Sequence, residues 1–131
     1  MASIISMFNS HFENFINDVL TVFPENIDLK TAKNTFILMQ KTNPKMLVSI
    51  WFEHITQPYG KQISKGNIKF FLEKDYNEDL TKADVDNTDK IMKCIDNLRD
   101  PIRNMGEDNQ KKAMKYIQNL TKLSKMQATN N

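Results

Sequence analysis

Residues 44–55, PKMLVSIWFEHI, form the one helix-length stretch of this chain that is apolar almost all round. At about 100° per residue, Leu47, Ile50, Trp51 and Ile55 share one side, while Met46, Val48 and Phe52 carry the stripe well past half the circumference. A helix at the surface of a soluble domain shows a narrower stripe, so this one must be enclosed by other helices. The spacing therefore predicts an all-α fold, a compact irregular bundle of five to six helices around a buried central helix at 44–56. At 131 residues the chain is one domain by size, with enough eligible side chains (eight Phe, eight Met, one Trp) to build a core without staples. That domain is expected to span 1–126, with 127–131 as a frayed tail.

The flanking segments fit this frame. In 3–23, Ile4, Ile5, Phe8, Phe12, Phe15, Ile16, Val19, Val22 and Phe23 fall within an arc of roughly 120°, the width of a core-facing helix. Pro24 stops it. A second helix starts near Asn26 or Asp28, either of which can cap, and turns Leu29, Ala32, Phe36 and Met39 inward. Asn43-Pro44 reads as N-cap and first-turn proline of the central helix, which Pro58 is expected to close. A short helix at 59–65 then ends at Gly66. Residues 68–80 lose the helical pattern and are read as a short turn followed by a loop to 86. A fifth helix at 88–98 carries Ile91, Ile95 and Leu98, and Pro101 either kinks or restarts it. Asp108 is the expected cap of the last helix, whose inner face is Ala113, Tyr116, Ile117, Leu120, Leu123 and Ser124.

Most chemistries lack their residues. One cysteine, Cys94, excludes an intramolecular disulfide and any multi-cysteine metal site, and reads as a small buried hydrophobe. His11 lies at the margin of one apolar arc and His54 within another, positions where histidines mostly serve the core. Three glycines, at 60, 66 and 106, cannot build a phosphate loop or a dinucleotide fingerprint. Asp75, Asn77, Asp79 and Asp86 have the spacing of a calcium loop, but Leu80 stands where the turn needs glycine, and the last ligand is Asp rather than Glu. The expectation is a non-enzymatic protein without cofactor or metal. No run is apolar enough to span a membrane, and no leader pattern opens the chain, so it is read as intracellular and not secreted.

Two surfaces remain as candidates for binding. Phe70, Phe71, Asp75 and Tyr76 put bulky groups on the least regular segment, where they either fold over the core as a lid or, as aromatic residues on irregular segments often do, anchor a protein partner. Lys111, Lys115, Lys122 and Lys125 fall within about 80° on the last helix, opposite its apolar face, and could lie on a nucleic-acid backbone. Charge is unevenly spread beneath the overall +2: residues 75–100 hold eight acids against four bases, and 101–131 hold six bases against two acids. Such a dipolar chain suits protein contacts better than polyanion binding, which wants one dominant basic field. A protein partner is therefore the leading expectation, and a nucleic-acid-associated accessory factor the alternative.

The segments FENFINDVLTVFPENIDLK, MQKTNPKMLVSIWFEHI, FFLEKDY and YIQNLTKLS, taken together, resemble a group of short helical proteins encoded by large DNA viruses of protists and algae, the mimivirus-like giant viruses. The likeness covers most of residues 8–125, and sixteen lysines against two arginines, with fifteen asparagines, agree with an AT-rich genome. It implies a viral origin, in the virion or the infected host cytoplasm, and supplies no catalytic residue.

Overall fold

The computed structural model describes residues 3–66 and 87–129. Every regular element among them is helical: α1 (Ile4–Val22), α2 (Ile27–Thr42), α3 (Met46–Trp51), a π-helical turn (Phe52–Thr56), α4 (Gln57–Ser64), α5 (Asn87–Arg103) and α6 (Glu107–Thr129). The fold is the expected all-α bundle.

Local chemistry sets most of the boundaries. The Ser3 side chain accepts the Ser6 N–H at 3.1 Å and starts α1, which ends at Phe23 ahead of Pro24. Of the two expected caps for α2, Asn26 does the work, accepting the Leu29 N–H at 3.0 Å, while Asp28 sits in the first turn where a negative charge meets the helix dipole. Gly66 follows α4 at φ +79°, the left-handed conformation that ends helices, and its N–H donates to the Ile63 carbonyl at 2.9 Å.

Several boundaries differ from expectation. Asn43 closes α2, its N–H donating to the Met39 carbonyl at 2.8 Å, so α3 begins at Met46 rather than at Pro44. The Pro44 carbonyl is instead taken by the Asn9 side-chain amide at 3.0 Å. Pro58 does not close the central helix. A proline inside an α-helix collides with the carbonyl four residues back; here the preceding turn is widened, with Gln57 N–H donating to Phe52 five residues back, and Pro58 falls in the first turn of α4, where no N–H is needed. The central helix thus runs on through the π-turn to Ser64. At the far end Gly106, not Asp108, stands at the start of α6, its carbonyl accepting the Gln110 N–H at 3.0 Å. Pro101 neither ends nor restarts α5, which runs on through it to Arg103. The Gln110 amide donates to the carbonyls of Ile102 (3.1 Å) and Arg103 (3.3 Å), satisfying acceptors that the end of α5 leaves open. α6 continues to Thr129 and so takes in residues 127–129, which were expected to fray.

Packing places α3 at the centre. It touches α1, α2, α5 and α6, while α1 packs mainly on α6 and α2 mainly on α5. Trp51 is fully buried, edge-on to Phe8 (ring centroids 6.0 Å) and Phe12 (6.2 Å), and its indole N–H donates to Thr121 Oγ1 at 3.2 Å. A polar seam continues along α6: Thr121 Oγ1 donates back to the Ile117 carbonyl at 2.8 Å, Ser124 Oγ to the Thr121 carbonyl at 2.8 Å, and the hydroxyls of Ser124 and Thr56 pair at 2.6 Å. Because Thr56 belongs to the π-turn, this buried pair sets the rotation of that turn against α6.

Candidate interaction surfaces

The lysine row of α6 is present as the periodicity requires. Lys111, Lys115, Lys122 and Lys125 are all exposed. Gln118 lies on the same side, and its amide donates to the Ile63 carbonyl at 3.0 Å, fastening the end of α4 beside the row. The consequence was not legible in the sequence: Lys61 of α4 and Lys65 just past its end now share an open groove of about 730 Å³ with Lys125 of α6. Phe52, half-buried at the start of the π-turn, forms one wall, and there is no carboxylate among the described residues that line the groove.

α2 presents a different surface. Ile27 is 75% exposed and Leu38 65% exposed. Eleven residues apart, they lie about 20° from each other around the helix, with exposed Thr31 and Thr42 on the same side. The stripe is uncharged between Ile27 and Leu38, and exposed Lys41 flanks it in the last turn of α2. Alongside it, between α2 and α5, runs a groove of about 630 Å³ lined by Thr35, Met39, Met46 and Cys94 among others. Sequence reasoning assigned α2 an inward face and overlooked the outward one. The signal was available in two large aliphatics placed outside the inward arc of Leu29, Ala32, Phe36 and Met39.

The groups with chemical potential are held quiet. Cys94 is 3% exposed, its Sγ directed to the Ala32 carbonyl at 3.6 Å, and burial pushes the thiol up to about 11. A thiol so far above neutral pH stays protonated and is a poor nucleophile. On the other side of the bundle the Tyr116 hydroxyl donates to Asp18 Oδ2 at 2.5 Å, joining α6 to α1 across 98 residues of sequence. That bond, reinforced by burial and the carboxylate's charge, raises Tyr116 to about 12, so at neutral pH it serves as a donor and not as a base. Phe15 stacks on the Tyr116 ring at 5.2 Å, and His11 lies against it at 4.8 Å with its Nε2 buried and unpartnered. Burial lowers the His11 pKa, keeping the ring neutral. Neither the pairing of Asp18 with Tyr116 nor the position of His11 over it is visible in local sequence.

The expected partner anchors Phe70, Phe71, Asp75 and Tyr76 lie outside the described residues, as does the calcium-like spacing at 75–86. Among the described residues no helix is long and apolar enough to cross a membrane. No protein-family model, characterised protein or solved structure matches the chain.

Proposed function

We propose that this is a non-enzymatic, virus-encoded protein that works by binding another protein, with the outer face of α2 as its docking surface. The observation that carries the reading is the paired exposure of Ile27 and Leu38 on one helical stripe beside the α2–α5 groove. Scattered exposed aliphatics are ordinary, but two on one face along most of a helix give a partner a line of apolar anchors, flanked here by the charge of exposed Lys41. The buried, protonated Cys94 and the donor role of Tyr116 agree with a binding role rather than catalysis. The viral origin rests on the sequence resemblance alone.

The test is recovery of a partner from infected cells by wild type and by Ile27→Lys/Leu38→Lys. Both side chains are solvent-facing, so the melting temperature should change little, each surface change being worth within about 0.5 kcal/mol. Loss of the partner with an unchanged melt supports the reading; undiminished recovery by the double variant overturns it.

A second reading, nucleic-acid binding by the α6 lysines, is favoured by one observation: the exposed row stands next to two further lysines brought in by α4. If Lys111, Lys115, Lys122 and Lys125 contact a duplex, log–log salt dependence should approach a slope of about −3.6, and glutamine at all four positions should abolish binding.

A further inference from the structure

We propose that the groove between the π-turn, α4 and α6 is a binding site for single-stranded nucleic acid. Three lysines, Lys61 on α4, Lys65 just past its end and Lys125 on α6, converge on it. All three are exposed, and among the described lining residues there is no carboxylate. The groove is not merely basic. The half-buried ring of Phe52 supplies an aromatic wall, and exposed Gln57 supplies an amide. The π-turn creates this arrangement: its extra residue per turn lets the chain continue past Pro58 into α4, so the α4 lysines follow directly behind the Phe52 wall.

The chemistry selects the ligand. Lysines track phosphates as point charges, whereas carboxylate recognition draws its strength from the arginine fork, and the described groove lining has no arginine. An aromatic face beside a cationic track is the arrangement that holds single strands, because every base has a face to stack. A duplex keeps its bases stacked inside and would leave Phe52 and the groove unused. The site goes beyond the α6 lysine row: two of its three cations stand on α4 and just past its end, and Lys111 and Lys115 take no part.

The experiment is fluorescence anisotropy with a short labelled oligothymidylate, against a duplex of equal length and an oligoaspartate peptide as competitors. Three phosphate contacts predict a log–log salt slope of about −2.1 for the single strand. Lys61→Gln and Lys65→Gln should each reduce the magnitude of that slope by about 0.7. Phe52→Leu, which keeps apolar bulk for the half-buried position, should weaken binding about five- to hundredfold while leaving the slope unchanged, and Phe52→Trp should tighten it. Lys111→Gln and Lys115→Gln should leave the oligothymidylate affinity as it is. The proposal is overturned if the duplex binds as tightly as the single strand, if oligoaspartate displaces the strand at equal charge, or if Phe52→Leu binds like wild type. A loss confined to the Lys111 and Lys115 variants would overturn it in favour of the α6 row.

Discussion

Trp51 shows how one side chain ties the bundle together. It meets two aromatic rings of α1 and a hydroxyl of α6 with no solvent exposure, so truncation removes a large buried surface and leaves a cavity among elements that cannot all collapse on it. Trp51→Ala should cost about 3–5 kcal/mol, a large part of the roughly 5–15 kcal/mol available to a domain of this kind. A thermal melt within a degree or two of wild type would refute that role. Cys94 makes a separate prediction. Its folded pKa is raised, from 9.0 to about 11, so the neutral thiol is favoured in the native state. The associated stability is fully present below pH 9 and is lost as the pH rises toward 11. Melts of wild type and Cys94→Ala should therefore converge over that interval. A constant difference between them would show that the thiol is not held protonated by the fold.

Among the elements, the central helix is the instructive one, because two glycines near its end respond oppositely to the same change. Gly60 lies inside α4, and a Cβ there would meet only Thr56 Cγ2 at 3.9 Å, an ordinary contact. Gly60→Ala should stabilise by about 0.4–1 kcal/mol, chiefly by narrowing the unfolded ensemble. Gly66 has φ +79°, where a side chain collides with the backbone. Gly66→Ala should destabilise by about 1–2 kcal/mol. Chemical denaturation of the two variants reads the difference directly, and effects of equal sign would mean that α4 does not end as described. The π-turn between α3 and α4 is likewise a consequence of surroundings. Residues 52–56 carry no local sign of it, but Pro58 ahead and the Thr56–Ser124 pair beside it together require a wider turn.

At the scale of the whole molecule the core is continuous, running without a break from Phe8 of α1 to Leu120 of α6. A chain with one such core should unfold in one step, so loss of helical circular dichroism and of the Trp51 fluorescence environment should coincide on heating. Separate midpoints would show that part of the bundle unfolds independently. The two proposed surfaces occupy different parts of this unit, α2 with α5 on one hand and α4 with α6 on the other. Variants at Ile27 and Leu38 should therefore leave single-strand binding untouched, and variants at Lys61 and Phe52 should leave the α2 face untouched.

Apolar periodicity alone determined the helical class, the inward faces of α1, α2 and α6 and the burial of Trp51, because a helix repeats its exposure every 3.6 residues. Polar side chains next to the start of α2 narrowed its cap to Asn26 or Asp28, and a glycine with no Cβ marked the end of α4, because those functions are satisfied within a few residues of chain. Where a competing partner lay far away, local reading failed: Pro44 is engaged by Asn9, Tyr116 by Asp18 and Ile63 by Gln118, at separations of 35, 98 and 55 residues. The α6 lysines could be placed on one face from the sequence. The union of one of them, Lys125, with Lys61 and Lys65 around Phe52 could not, since it depends on how α4 docks against α6, which long-range hydrogen bonds and core packing decide.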